Sequence, residues 1–239
     1  MRLAEVIDGM AVQKSSEGNP EVTGITFNSR QVKPGDLFVA LTGQRFDGRA
    51  FVNDALERGA VAVLAAGGPP ANFDGLWLAT AEPRWLMALI AARIYGHPER
   101  ELLIAGVTGT NGKSTLVHLL SSILSAAGIP SGCMGTLGYK FQDRSYPGER
   151  TTPESADLYR TFAEMRAAGA EAVSMEVSSH GLEQGRVEGL SFDLAVFTNL
   201  SRDHFDFHDG FEDYFSAKRK LFEKLKPQGW AVANLDDPY

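Results

Sequence analysis

The chain has 239 residues, of which 44% are hydrophobic and 22% charged, and its formal net charge is −7. That balance suits a soluble globular protein long enough for two modest domains, and it argues against disorder, a membrane span and a nucleic-acid surface. The start from Met1 to Asp8 lacks the apolar core of a signal peptide, and the single cysteine, Cys133, has no internal partner for a disulfide, so a cytoplasmic protein is expected, with Cys133 a small core residue.

In chain order, residues 1–96 read as a small α/β domain. Asp36 to Leu41, Ala60 to Ala65 and Gly75 to Leu78 are strand-like, and Phe51 to Arg58 is a short amphipathic helix closed by Gly59. A second helix runs from Pro83 to Gly96, where Pro98 blocks it, so the domain boundary is set at Gly96-His97-Pro98. Before the first of these strands, Asn28-Ser29 in Phe27-Asn28-Ser29-Arg30 suits the cap of a turn, with Arg30 a solvated charge.

Residues 97–239 alternate strand and helix, the pattern of a mostly parallel sheet with covering helices. The apolar run Leu102 to Ala105 leads into Gly106-Val107-Thr108-Gly109-Thr110-Asn111-Gly112-Lys113-Ser114-Thr115, after which Leu116, Val117, Leu119, Leu120, Ile123 and Leu124 recur at helical spacing. A glycine-rich turn at a strand-to-helix junction can aim its N–H groups at phosphate oxygens. Lys113 then reaches the terminal phosphates, and Ser114 offers its hydroxyl to Mg²⁺. The strict spacing of such loops asks for glycine at 107, where this chain has valine. An ordinary glycine-rich turn is the plainer alternative.

Beyond this helix, Thr152 with Pro153 suits a helix N-cap followed by its first residue, alone or with an added ligand contact. Glu176 closes the strand Ala172 to Val177 and is followed by a turn at Ser178 to Leu182. It therefore stands on the sheet edge that lines the ligand crevice of open α/β folds, where a carboxylate can share Mg²⁺ with Ser114. The strand Phe192 to Thr198 ends in Asn199-Leu200-Ser201-Arg202-Asp203-His204-Phe205-Asp206-Phe207-His208. In the helix Phe211 to Leu225, Lys218 lies on the apolar stripe of Phe211, Tyr214, Phe215, Leu221, Phe222 and Leu225. A lysine there either snorkels its ammonium to an edge or has a specific task. A last strand starts at Gly229.

Gly109-Thr110-Asn111-Gly112-Lys113-Ser114 resembles the ATP-binding loop of the Mur ligases and of their folylpolyglutamate synthetase relatives, which join a carboxylate to an amine with ATP. Asn28-Ser29-Arg30 with Val32-Lys33-Pro34-Gly35-Asp36-Leu37-Phe38-Val39-Ala40 resembles the D-S-R-x-V-x-P-G-D-L-F-V-A segment of the MurE-type branch, with Asn28 in place of Asp. Met175 to Leu182 and Thr198 to His208 match further segments, and the chain ends within an N-x-D-D segment at Asn234-Leu235-Asp236-Asp237. The resemblance implies a UDP-substrate domain over 1–96, with contacts from Phe27, Ser29, Gln44, Arg45 and Phe46, and an ATP-binding central domain over 97–239, incomplete at its C-terminus. It implies ATP contacts from Gly109, Thr110, Asn111, Gly112, Lys113, Ser114 and Thr115, and substrate contacts from Thr151, Thr152, Ser178, Gln184 and Arg186. Lys113, Glu176, His204 and Lys218 would be catalytic. Ser114, Glu176, His204 and a carbamate formed on Lys218 from CO₂ would serve Mg²⁺, while His180 and His208 have weaker claims.

The activity so implied is amide ligation of a third amino acid to UDP-N-acetylmuramoyl-L-alanyl-D-glutamate, through an acyl phosphate, in peptidoglycan synthesis. A monomer is expected, with the substrate, ATP and an amino acid as partners, and the amino acid is not readable from these residues. Because the chain stops early, it is expected to bind without completing the reaction. A related ligase with another carboxylate substrate would lack the Ser29-Arg30 segment, and a nucleotide-binding protein without catalysis would tolerate loss of Glu176, His204 and Lys218.

Overall fold

A computed structural model describes residues 1–43, 47–146, 148 and 150–239. The chain divides into two compact units, Met1–His97 with Ser155–Arg160, and Pro98–Glu154 with Thr161–Tyr239. Among the described residues no helix is long and apolar enough to cross a membrane.

The first unit holds α1 (Leu3–Val6), β1 (Gln13–Lys14), β2 (Gly24–Thr26), β3 (Asp36–Ala40), α2 (Val52–Glu57), β4 (Ala62–Ala66), β5 (Trp77–Thr80) and α3 (Pro83–Ile94). Its sheet has the order β1-β5-β4-β3-β2, with β2 to β5 parallel and β1 antiparallel at the edge. All of β3 is buried, as expected of a parallel strand covered on both faces. Phe38, Ala40, Val63, Ala65 and Trp77 cluster with Val52 and Ala55 of α2. The alternate residues Leu37, Val39 and Leu64 point to the opposite face and are also fully buried. Each such side chain contributes about 1.5–3 kcal/mol by leaving water. Helix α3 packs on β2, β3 and β4 and buries Leu86, Met87, Ile90 and Ala91.

The second sequence block continues with β6 (Leu103–Thr108), α4 (Lys113–Ala126), β7 (Ser131–Gly135), β8 (Gly138–Phe141), β9 (Arg144–Tyr146), α5 (Ser155–Ala167), β10 (Ala172–Glu176), α6 (Ser179–Glu183), β11 (Phe192–Phe197), α7 (Phe211–Glu223) and β12 (Leu225–Ala233). The sheet order is β12-β11-β6-β10-β7-β8-β9. Strands β12, β11, β6, β10 and β7 are parallel, and β8 and β9 form an antiparallel margin. The connection leaving β6 runs toward β7, while the one leaving its neighbour β10 runs back across β6 to β11. Connections that part in this way open a crevice at the C-terminal ends of the two strands, where open α/β sheets bind ligands.

Four local expectations change. The strand before the glycine-rich turn runs on to Thr108, the stretch after Glu176 is the short helix α6, the helix expected from Thr152 starts at Ser155, and the last strand starts at Leu225, not Gly229, because α7 ends at Glu223. Ser178 is the N-cap of α6, its hydroxyl accepting from the Gly181 N–H at 3.1 Å. Thr152 is not an N-cap, because its hydroxyl donates to the Glu176 carbonyl at 3.1 Å and accepts from the Ser178 N–H at 2.9 Å. A tertiary partner has displaced the local one.

Candidate functional site

With β6 ending at Thr108 and α4 starting at Lys113, residues 109–112 form the turn. Val107 is fully buried and packs with Val117, Cys133 and Val196, so the position where a strict phosphate loop has glycine is here part of the core strand. Gly109 has φ +143°, and a Cβ there would overlap the Thr198 hydroxyl. That close approach lets the end of β11 fasten the turn. Thr110 N–H donates to the Asn199 carbonyl at 2.9 Å and Asn111 N–H to Asn199 Oδ1 at 3.0 Å. The Asn111 carbonyl in return accepts from Thr198 Oγ1 at 2.7 Å and Asn199 Nδ2 at 3.1 Å.

Two lysines converge on one carbonyl of this turn. Lys113 Nζ donates to Gly109 O at 2.9 Å and to Thr110 O at 2.8 Å, and Lys218 Nζ donates to Gly109 O at 2.9 Å. Lys218 comes from the buried stripe of α7, formed by Tyr214, Ala217, Lys218 and Leu221, and is only 2% exposed. Its ammonium lies 4.1 Å above the Tyr214 ring, whose hydroxyl accepts from Thr110 Oγ1 at 3.3 Å. Burial first, and then the charge of Lys113, push the Lys218 ammonium down to about 7, with Asp203 opposing. Burial also lowers Lys113, against the pull of Glu176 and Asp203.

The other side of the turn is acidic. Glu176, 2% exposed at the end of β10, accepts from Ser114 Oγ at 2.8 Å and Thr136 N–H at 2.9 Å on Oε1, and from Thr136 Oγ1 at 3.3 Å on Oε2. Ser114 and Glu176 thus bring two hard oxygens together beside the turn, a donor pair that suits Mg²⁺ sharing its shell with phosphate oxygens and water. Among the described residues no group of three or more His, Cys, Asp or Glu could cage a metal. The donor set fits an ion held jointly with a nucleotide.

His204 has φ +54°, an uncommon backbone state outside glycine, and its Nε2 lies 3.4 Å from Asp203 Oδ2. Its ring meets His180 edge-on at 4.8 Å and Tyr214 at 6.2 Å, so His204 and Lys218 adjoin the same aromatic ring. His180 stacks on Phe207 at 4.0 Å, and burial, then the neighbouring His204 and His208, hold its imidazole below the usual value. His208 is buried, with Nδ1 at 2.9 Å from Asp213 Oδ2.

Of the residues expected at the muramoyl substrate, Thr151, Thr152, Ser178, Gln184 and Arg186 come together around Glu176. Thr151 Oγ1 lies 3.0 Å from Thr136 Oγ1, and Thr152 Oγ1 lies 3.0 Å from Ser178 Oγ. Arg186 donates to Thr152 O at 3.0 Å and Gln184 Oε1 at 2.6 Å, and its Nε lies 3.3 Å from Glu154 Oε1. Thr152 has no exposed surface and Arg186 little, so both brace this wall. Thr115 is exposed on the first turn of α4. In the first unit Asn28 Oδ1 caps the turn Ser29–Gln31 by accepting from the Arg30 N–H at 3.1 Å. Ser29 is buried and its hydroxyl bonds the Asp54 carboxylate, holding that carboxyl below its ordinary value together with Arg58. Phe27 is half-buried, and Gln44, Arg45 and Phe46 lie outside the described residues.

Four participants carried no assigned role in the sequence: Thr136, Asn199, Asp203 and Tyr214. Asn199 and Asp203 belong to a motif already singled out, and Tyr214 lies one turn before Lys218 on its stripe. Thr136 sits in a two-residue turn whose sequence carries no comparable signal.

Known proteins resemble this chain along its length. A family model for the Mur ligase middle domain matches residues 107–239, and one for the Mur ligase family catalytic domain matches residues 21–83. The UDP-N-acetylmuramoyl-L-alanyl-D-glutamate--2,6-diaminopimelate ligase of Streptomyces coelicolor is 49% identical over 240 residues, covering 99% of this chain and 47% of that protein. The protein of the same name from Solibacter usitatus is 44% identical over 244 residues, covering 100% and 49%. A solved structure of a ligase of that name superposes with a TM-score of 0.77 at 35% identity, over 91% of this chain and 44% of that one. MurF ligase from Thermotoga maritima in complex with ADP shares the fold, with a TM-score of 0.63 at 24% identity, over 91% and 47%. The chain spans about half the length of the curated relatives it matches.

Proposed function

This chain belongs to the Mur ligase family, and from that premise we propose that it is the substrate-binding and ATP-binding part of a cytoplasmic ligase that adds 2,6-diaminopimelate to UDP-N-acetylmuramoyl-L-alanyl-D-glutamate. The observation that carries the reading is the two-sided turn, with Lys113 and Lys218 on Gly109 O and Ser114 against Glu176. The names of the relatives support the choice of substrate and of amino acid.

In this reading a γ-carboxylate oxygen of the D-glutamate attacks the γ-phosphorus of ATP, and ADP leaves. The amine of diaminopimelate then attacks the acyl phosphate, forming the amide as phosphate departs and the amine loses its proton. Lys113 exchanges its two loop carbonyls for phosphate oxygens and, with the N–H groups of the turn, orients and neutralises them. Ser114 and Glu176 hold Mg²⁺, which when bound supplies further neutralisation of phosphate charge. No enzyme nucleophile is required, and positioning with charge compensation provides the rate.

Lys218 is the proposed site of carbamylation. With its value near 7, a substantial share of the amine is neutral at physiological pH, and the neutral amine is the form that adds CO₂ with loss of a proton. The product anion faces Lys113, whose charge disfavours the ammonium and favours the carbamate. His204, beside the same Tyr214 ring, contacts the transferring phosphate in this reading. Thr151, Ser178 and Gln184 serve the peptide end, braced by Thr152 and Arg186, and Phe27, Ser29 and the 44–46 segment serve the uridine diphosphate end.

The test is a turnover assay of the full-length protein. ADP release should require both UDP-N-acetylmuramoyl-L-alanyl-D-glutamate and diaminopimelate, and amide product should appear in equal amount. ATP hydrolysis indifferent to the dipeptide substrate would contradict the proposal.

A further inference from the structure

Thr136 lies exposed in the turn between β7 and β8, yet it engages both oxygens of the buried Glu176 carboxylate. Its N–H donates to Oε1 at 2.9 Å and its hydroxyl to Oε2 at 3.3 Å. The backbone permits this because residue 135 is glycine, since a Cβ there would overlap Glu176 Oε1. The Thr136 hydroxyl is also 3.0 Å from Thr151 Oγ1.

A hydroxyl carries one hydrogen, and a carboxylate oxygen only accepts. With the hydrogen of Thr136 directed to Glu176, the contact between the two threonines is made by the hydrogen of Thr151. The half-buried Thr151 oxygen then presents only lone pairs to a ligand. It accepts from an N–H or O–H group and repels a carbonyl or carboxylate oxygen. We propose that Thr136 is a positioning residue that fixes the Glu176 carboxylate and sets the hydrogen-bond polarity of Thr151, so that Thr151 recognises a donor on the peptide substrate, its amide N–H. The inference rests on the ligase reading above and adds a physical link between the cation side of the site and the peptide side.

The full-length protein tests it with Thr136→Val, which keeps shape and the backbone N–H, and Thr136→Ser, which restores the hydroxyl. Thr136→Val should raise KM for the UDP-muramoyl dipeptide about tenfold and weaken Mg²⁺-dependent ADP binding to a similar degree, as loss of a hydrogen bond to a charged group does. ADP binding without divalent cation should not change, and Thr136→Ser should match wild type. Thr151→Val should raise the same KM, and the double variant should do no worse than the larger single one. A substrate N-methylated at the alanyl-glutamyl amide should lose affinity for wild type and not for Thr151→Val. Additive effects of the two threonine variants, or wild-type constants for Thr136→Val, would overturn the inference. A wild-type protein that binds Mg-ADP but makes no amide would refute the ligase reading instead, and the effect of Thr136→Val on Mg²⁺-dependent ADP binding would still be measurable.

Discussion

The two sides of the Gly109–Lys113 turn are built in opposite ways. On the carboxylate side Glu176 receives Ser114 and both donors of Thr136, so each oxygen is fixed by the protein itself. On the ammonium side two lysines share Gly109 O, with Asp203 acting on both and Glu176 on Lys113. Like charges drawn to one acceptor raise each other's cost, and burial adds to it. The difference teaches where added charge is favoured. In the proposed reading a phosphate or a carbamate is stabilised on the ammonium side, while the carboxylate side takes the cation.

The largest effect should come from removing Lys113, the cation proposed to meet the phosphates. Lys113→Ala is expected to lower kcat/KM for ATP by roughly a thousandfold in the full-length protein, the scale found when a preorganised donor is lost from a charged transition state. A drop of less than about tenfold would show that another residue neutralises the phosphates.

A smaller effect separates the second lysine from the first. The folded protein releases the Lys218 proton near 7, whereas the unfolded chain keeps it to 10.5. Between these values the unfolded state binds more protons, so stability rises with pH across that window, and below about 7 the penalty is constant. In CO₂-free buffer Lys218→Met should remove this rise, gaining on the order of 5 kcal/mol over wild type at pH 6 and losing most of that advantage by pH 10. Parallel stability curves by chemical denaturation would mean that the ammonium is not disfavoured where it sits.

Smaller again is the fastening that both sides share. Asn199→Ala removes the side-chain bonds to Asn111 N–H and Asn111 O, and is expected to cost about 1 kcal/mol in stability with a few-fold loss of ADP affinity. Lost affinity without lost stability would show that Asn199 touches the nucleotide.

Much of this was legible because local chemistry and tertiary structure agree. The strand, turn and helix around Gly109 follow from apolar runs and glycine punctuation, and Lys218 stood out because a charge on an apolar stripe needs an explanation. Val107 departs from the strict spacing of a phosphate loop because the strand extends through it to Thr108. Thr152 misled as a helix cap because its best partners, Glu176 O and Ser178 N–H, are about 25 residues away in sequence. Thr136 was invisible for the same reason, since nothing near it in the chain announces a partner 40 residues on.

The division of the turn into a cation side and a phosphate side is tested most directly by calorimetric titration of ADP, with and without Mg²⁺, into wild type, Glu176→Gln and Lys113→Ala. Glu176→Gln should bind ADP as wild type does without Mg²⁺ and should lose the gain that Mg²⁺ brings, whereas Lys113→Ala should bind weakly in both conditions. If Glu176→Gln kept the full Mg²⁺ gain, or both variants lost affinity alike with and without the ion, the two sides would not have the separate tasks assigned to them.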